Sequence, residues 1–302
     1  MRYDALVVGG SFAGLSAAMQ LARARKNVCV VDAGAPRNRF AAAAHGFFGQ
    51  DGVPPLKMIS DARAKLLAYP NVTLIEGRVA SAQADGAGGF VASLDDGDRQ
   101  LSAGKLLLAF GVQDGFPDGI AGVRERWGTS VLHCPYCHGY EFSGRRLGVL
   151  IEAPHPPDHA MLIAEWGPAT LFLNGNNTVE EEARAKLQAR GVTVEPGRIV
   201  ALEGPAKDLS GVRLEDGRIV PVDALFMVPR TRPSSPIAEQ LGCAFDDGPA
   251  GPVIRTDAMK MTTVPGVYAA GDVAMPMHNA TLSSADGVMA GTSMHRAMVF
   301  GA

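Results

Sequence analysis

The strongest constraint on this chain lies near its N-terminus. Ala5-Leu6-Val7-Val8 is an apolar run long enough for one buried strand. Gly9-Gly10-Ser11-Phe12-Ala13-Gly14 follows, and Leu15-Ser16-Ala17-Ala18-Met19-Gln20-Leu21-Ala22 then reads as a helix with small residues where it would pack on a sheet. Val28-Cys29-Val30-Val31 is a second buried strand, and it ends at Asp32. Strand, glycine turn, helix, strand and terminal acid together make a dinucleotide-binding βαβ unit.

Each part of that unit has its own physical reason. Gly9 permits the tight turn, and Gly14 lets the helix lie close to the strand. The helix start, with Ser11, Phe12 and Ala13, offers unpaired N–H groups and the positive end of the helix dipole to a pyrophosphate. Asp32 can accept hydrogen bonds from adenosine ribose hydroxyls. The middle glycine of the GxGxxG pattern is Ser11, so the approach to the pyrophosphate has to tolerate a small side chain. A glycine-rich turn without a ligand is the bland alternative.

The far end of the chain narrows the ligand. Thr263-Val264-Pro265-Gly266-Val267-Tyr268-Ala269-Ala270-Gly271-Asp272 reads as a buried strand that delivers Gly271 and Asp272 to it. Asp272 would bond the ribityl chain of a flavin. His278-Asn279-Ala280-Thr281 precedes a helix over 283–298. N–H groups at that start, from Asn279, Ala280 and Thr281, could face the pyrimidine edge of the flavin and stabilise negative charge on reduction. An N-terminal βαβ unit paired with a C-terminal Gly-Asp turn points to FAD. Between these ends, Arg37 and Arg39 could reach phosphate or adenine. His45, in His45-Gly46-Phe47-Phe48, either sits near the flavin ring or is an ordinary loop histidine. Lys105-Leu106-Leu107-Leu108-Ala109-Phe110 is a strand running into Gly111, as at the close of a flavin lobe.

Composition bounds the function classes. The 302 residues allow two domains. A net charge of −3 gives no reason to expect nucleic acid or an anionic membrane surface as partner. No apolar run is long enough to span a bilayer and no apolar signal core follows the start, so a cytoplasmic protein is expected. Four cysteines in a reducing compartment do not make a disulfide scaffold. Cys29 and Cys243 read as buried fillers. Cys134 and Cys137, in Cys134-Pro135-Tyr136-Cys137-His138, carry the chemistry.

That CxxC spacing serves both zinc sites and redox dithiols. No second Cys pair follows, and His133 and His138 lie too close to complete a familiar zinc pattern. The redox dithiol is therefore the better reading, and no metal is expected. Only thiolates take part in dithiol exchange, so a base is required. His138 has the intrinsic pKa to take and return a proton near neutrality. Glu141 either orients His138 or is a solvated surface carboxylate. Tyr136 either donates to substrate or shapes the mouth of the site, and His133 is open between structural and functional roles.

A second βαβ unit follows the dithiol. Leu147-Gly148-Val149-Leu150-Ile151 is a buried strand, but it opens into Glu152-Ala153-Pro154-His155-Pro156-Pro157-Asp158. No glycine is present there for close phosphate approach, and three prolines remove backbone donors. After the next strand, Ala169-Thr170-Leu171-Phe172-Leu173, comes Asn174-Gly175-Asn176-Asn177, with no Arg cluster for a 2′-phosphate. The scaffold is retained while its nucleotide chemistry is missing. The stretches 115–122 and 229–236 read as linkers.

Over nearly the whole length these features resemble the low-molecular-weight thioredoxin reductases. Through Cys134-Pro135-Tyr136-Cys137-His138-Gly139 the chain is most similar to their branch of FAD-dependent dithiol oxidases, which close disulfides in gliotoxin, holomycin and romidepsin-type products. Thioredoxin reductases usually carry Asp at the position of His138. The resemblance implies an α/β fold of two Rossmann-like three-layer domains, with the second inserted into the first. The FAD domain is expected over 1–114 and 233–302, and the CxxC domain, a degenerate NAD(P)H fold, over 115–232. It implies a homodimer. It also implies a small-molecule or peptide dithiol as substrate, Cys134 as the outer sulfur, Cys137 against the flavin, and O2 as acceptor with release of H2O2. A disulfide reductase fed by NADPH, ferredoxin or another donor is the first alternative. A non-catalytic flavin redox sensor is the second.

Overall fold

A computed structural model describes residues 2–151, 158–175 and 179–301. The first unit begins as the sequence predicts, with β1 (Arg2–Val8), α1 (Phe12–Arg23) and β2 (Val28–Asp32). Helix α2 (Pro55–Leu67) starts with Pro55 in its first turn, where the missing N–H costs no helical bond. Strands β3 (Val72–Glu76), β4 (Val79–Ala84), β5 (Phe90–Leu94) and β6 (Gln100–Leu108) complete this stretch. Strands β1, β2, β3 and β6 are parallel, and β4, β5 and β6 form an antiparallel meander.

Strand β6 starts at Gln100, five residues before the Lys105 at which the sequence reading begins it. It is one continuous strand with two partners along one edge. Gln100–Ala103 pair with β5, and Leu106–Leu108 pair elsewhere.

The chain then runs through β7 (Val112–Gly115), α3 (Val123–Arg126), β8 (Val131–Leu132), α4 (Pro135–His138), β9 (Leu147–Leu150), α5 (Asp158–Ile163), β10 (Ala169–Phe172), α6 (Glu181–Ala189) and β11 (Thr193–Glu195). A meander of β12 (Ile199–Glu203), β13 (Gly211–Leu214) and β14 (Ile219–Pro221) follows, then β15 (Ala224–Met227) and β16 (Arg230–Pro233). The second sheet has the order β11-β10-β9-β15-β8 and is parallel throughout. Its four-residue strands β9 and β15 are buried at every position, as strands covered on both faces should be.

An ordered ribbon begins just before the stretch read as a linker at 115–122 and lies within the one read at 229–236. Strand β7 pairs antiparallel with β16, Val112 opposite Pro233 and Gly115 opposite Arg230. Its sequence signal is weak because Gln113, Asp114, Arg230 and Arg232 are polar; only alternate positions such as Val112 and Thr231 are buried. The boundaries set at 114/115 and 232/233 fall inside this ribbon.

The chain returns through α7 (Ile237–Gln240), β17 (Phe245–Asp247), β18 (Pro252–Ile254), β19 (Val267–Ala269) and α8 (Ala280–Phe300). Strand β19 is the second partner of β6, parallel to it. It thereby sets the end of the chain beside its beginning. Helix α8 lies on α1 with backbone-to-backbone closeness. A Cβ on Gly287 would stand 2.1 Å from the Ala13 carbonyl oxygen, and one on Gly291 would stand 2.6 Å from that of Ala17. The small residues of both helices are what allow this approach. Because the strands run parallel, the residues following β1, β2, β6 and β19 meet along one edge, where ligands of such sheets sit. Among the described residues no helix is long and apolar enough to cross a membrane.

Candidate active site

The glycine turn after β1 has no room for side chains. Gly9 has φ +108°, and a Cβ there would lie 2.3 Å from the Ala109 carbonyl oxygen. A Cβ on Gly14 would lie 1.8 Å from the Gly9 carbonyl oxygen, so the helix rests directly on the turn. Ser11 occupies the N-cap with extended backbone and makes no side-chain cap. The first-turn amides of α1, including those of Phe12, Ala13 and Gly14, are thus not used by the capping residue, as a pyrophosphate site requires. The ring of Phe12 lies 6.0 Å from that of Phe47, which brings the 41–53 loop over the start of α1.

Asp32 ends β2 in a dense set of donors. Its Oδ1 accepts from the Gly10 amide at 2.8 Å, and its Oδ2 accepts from the Gly34 amide at 3.1 Å and from the Arg63 guanidinium. Arg63, from α2, is a partner that the sequence did not announce, since an arginine on an amphipathic helix reads as solvated surface.

The Gly-Asp turn is held from behind. Gly271, at φ +79°, donates its amide to Asp286 Oδ2 at 2.9 Å. Asp286 in turn pairs with Lys260 Nζ at 2.6 Å, and both side chains are buried. A Cβ on Gly271 would come within 2.9 Å of the Ala13 methyl, so this turn abuts the pyrophosphate end of α1. The sequence reading named neither Asp286 nor Lys260, although Asp286 is the one carboxylate of α8. Asp272 accepts from Ser283 Oγ at 2.9 Å and from Arg37 Nη1 at 3.3 Å. Asn279 caps α8, and its side chain takes the amides of Thr281 at 2.8 Å and Leu282 at 3.2 Å. The Thr281 amide offered to a ligand is therefore already engaged, and helix α8 begins at Ala280. Gly111, at φ +69°, follows β6, and its carbonyl accepts from the Ser234 amide at 3.1 Å.

The two arginines considered for phosphate or adenine are both engaged by protein groups. Arg37 is bound to Asp114 and Asp272. Arg39 closes its own turn by donating to the Pro36 carbonyl at 2.9 Å, and its guanidinium lies 4.2 Å from the centre of the Phe40 ring.

Cys134 follows the edge strand β8, and α4 carries Cys137 and His138. Cys134 and Cys137 form a disulfide. Gly139 has ordinary helical backbone but no room for a side chain: a Cβ there would meet the Pro135 carbonyl oxygen at 2.6 Å and the Trp166 ring at 2.8 Å. Tyr136 is 73% exposed and meets the same Trp166 ring edge-on at 5.6 Å.

The dithiol helix rests on the first unit. His45 Nε2 lies 3.4 Å from Glu141 Oε1, and His45 Nδ1 lies 3.5 Å from Asp51 Oδ1. Glu141 is thus paired across the junction. Burial lowers the pKa of His138; the Glu141 charge opposes that shift and His45 adds to it. The imidazole is accordingly neutral, and basic, at neutral pH. His133 is pushed down to about 4, first by burial and then by the Arg37 charge, with its Nδ1 3.4 Å from the Met227 carbonyl oxygen. Cys29 and Cys243 are buried thiols, and burial raises the Cys29 thiol to about 11, which makes it inert. The residues 152–157 of the second turn, with Asn176 and Asn177, lie outside the described residues.

The family model for pyridine nucleotide-disulphide oxidoreductases matches residues 3–151 and 165–290. The chain is 32% identical to thioredoxin reductase sirT of Leptosphaeria maculans, across 97% of this chain and 93% of that protein. A solved oxidoreductase from Agrobacterium tumefaciens shares 46% identity and superimposes with a TM-score of 0.95 over all of both chains. The crystal structure of HlmI shares 38% identity with a TM-score of 0.91, covering 98% of this chain and 92% of the other.

Proposed function

The chain belongs to the pyridine nucleotide-disulphide oxidoreductase family, and from that premise we propose that it is an FAD-dependent dithiol oxidase. It is a thioredoxin-reductase-like flavoprotein acting on a disulfide or dithiol. The finer reading is that a small-molecule or peptide dithiol is its substrate and O2 its terminal acceptor. One observation carries it: the first glycine turn keeps a dinucleotide pattern in which only the middle glycine is replaced, by Ser11, while the second turn reads Glu152-Ala153-Pro154-His155-Pro156-Pro157. A reductase would need that second turn to bring NADPH.

Gly9, Ser11, Phe12, Ala13 and Gly14 would hold the pyrophosphate of FAD, Asp32 its adenosine ribose, and Asp272 its ribityl chain. His45, Gly111, Asn279, Ala280 and Thr281 would line the flavin ring. When bound, FAD supplies a two-electron acceptor that O2 can reoxidise with release of hydrogen peroxide. In the dithiol exchange, His138 takes the proton of a substrate thiol. The thiolate attacks Cys134, the Cys134–Cys137 bond breaks, and Cys137 leaves as a thiolate. The second substrate thiolate attacks the substrate sulfur of the mixed disulfide and displaces Cys134. Two electrons have then moved from substrate to protein, and the substrate leaves as a disulfide. Residues 1–114 with 233–302 act as the FAD domain and 115–232 as the dithiol domain, in a cytoplasmic homodimer.

Anaerobic mixing separates this from the alternative that the name thioredoxin reductase favours, a disulfide reductase fed by NADPH, ferredoxin or another donor. A dithiol alone should bleach the flavin, and air should then yield peroxide. Rapid bleaching by low concentrations of NADPH would overturn the oxidase reading.

A further inference from the structure

Arg37 is bound in a way that its place in the sequence gives no hint of. It lies in a single 3₁₀ turn, Arg37–Phe40, just after β2. Its Nε lies 3.0 and 3.1 Å from the two carboxylate oxygens of Asp114, and its Nη2 lies 2.5 Å from Asp114 Oδ1. The remaining arm, Nη1, reaches Asp272 Oδ2 at 3.3 Å. The Arg37, Asp114 and Asp272 side chains are only 19%, 7% and 18% exposed. Asp114 lies in β7, opposite Thr231 in the ribbon that joins the two sheets. Asp272 is the acid of the Gly-Asp turn. One guanidinium therefore ties the junction ribbon to that turn.

The physics gives these contacts an order. A fork-shaped guanidinium held on both oxygens of one carboxylate has a fixed plane, so its last arm has a fixed direction. Asp114 does the fixing, and Asp272 receives the result. Burial alone would weaken the Arg37 cation, but Asp114 first and then Asp272 outweigh it and the net shift is upward. Without Asp114, Arg37 would lose most of its anchoring and could turn away. Asp272 would then keep its Ser283 hydrogen bond but lose the charged one. Without Arg37, two carboxylates would stand in a poorly solvated space with no cation between them.

We infer that Asp114 is a positioning residue that acts through Arg37 on Asp272, so that the ribbon joining the sheets sets the carboxylate facing the cofactor. This rests on the reading that Asp272 meets FAD. It assigns Asp114 a part in cofactor binding although its carboxylate is turned to Arg37. It also makes the alignment of the dithiol domain and the affinity for FAD two results of one contact.

The test is a double-mutant cycle on full-length protein stripped of flavin and titrated with FAD by fluorescence quenching. Asp114→Asn should weaken FAD binding on the order of tenfold, the scale of one charge-assisted hydrogen bond. In an Asp272→Asn background the same change should cost nothing further, and likewise in Arg37→Met. If Arg37→Met does not fold, Arg37→Lys, which keeps the charge but not the fork, should uncouple the two acids equally. Additive losses would overturn the inference and leave the FAD reading standing. A lowered melting temperature for Asp114→Asn with unchanged FAD affinity would also overturn it, leaving a purely structural pair. Failure of the unmodified protein to take up FAD would overturn the reading on which it rests.

Discussion

The parallel strands of the two sheets share a plan and differ at their edges. In the first, β1 runs into Gly9 and Gly10, and β2 ends in Asp32, whose carboxylate gathers the Gly10 and Gly34 amides. In the second, β9 runs toward a turn whose sequence holds three prolines and a glutamate. The polar residue after β10, Asn174, has a structural use: its Oδ1 accepts the Ile199 amide at 2.9 Å and so fastens β12. Strands and helices of the same kind therefore do not make the same site. Nucleotide chemistry resides in a few turn residues, and a sheet can lose it while its core stays intact.

The largest expected effect tests that contrast with one methyl group placed in each sheet. Gly14→Ala sets a Cβ against the Gly9 carbonyl oxygen, a backbone atom that cannot move without opening the turn. FAD affinity should fall roughly a hundredfold, the scale of 1–3 kcal/mol of overpacking spent at the ligand itself. Gly148→Ala also crowds its neighbours, with Leu225, Phe172 and Val222 side chains at 2.9–3.0 Å. That crowding falls on side chains that can shift, so it should cost about 1–3 kcal/mol of stability. Flavin bound per folded chain should be unchanged. Equal loss of flavin from both variants would erase the distinction between the sheets.

The second comparison sets His138 beside the thiols it serves. Burial holds its imidazole below the ordinary histidine value, so the basic form persists until the pH drops under about 6.5. Dithiol consumption should therefore fall only on the acid side of that value. His138→Gln should lower the rate at pH 7 by about a hundredfold, the usual worth of a positioned base. Its rate should then climb with pH as the substrate thiols ionise by themselves, closing the gap near pH 8.5 or above. A stopped-flow pH series reads both limbs. An unchanged profile in His138→Gln would remove this residue from the chemistry.

The same contrast explains what could be read in advance. The βαβ unit and the C-terminal Gly-Asp turn were legible because each is local: a buried run, a glycine where a Cβ would strike backbone, and an acid at a strand end. The CxxC was legible for the same reason, and so was α8 with its run of small residues. The Arg63–Asp32, Asp114–Arg37 and Lys260–Asp286 pairs were not, because each joins segments 26 to 77 positions apart and nothing local in either partner points to the other. The ribbon of β7 and β16 was missed because its polar alternation carries no core signal. Arg37 was read by its proximity in sequence to the dinucleotide turn, and that reading could not name its two acid partners, which come from the junction and from the far end of the chain.

The smallest effect lies where the two units touch. Glu141 reaches His45 across the junction at 3.4 Å, but its side chain is 41% exposed. An ion pair this wet contributes about 0–1 kcal/mol, so Glu141→Gln should lower dithiol turnover by less than about fivefold. The direction of its second effect is more telling. The Glu141 charge favours the protonated form of His138 and partly offsets the lowering by burial. Removing that charge should lower the His138 pKa further, and the acid limb of the rate profile should move to lower pH. If Glu141 served only to hold the dithiol helix on the 41–53 loop, its loss would lower the rate equally at every pH. A displaced acid limb with a nearly unchanged plateau would show instead that the first unit tunes the base of the second through this contact, while the fixed geometry of α4 comes from Gly139 and Trp166 beneath it.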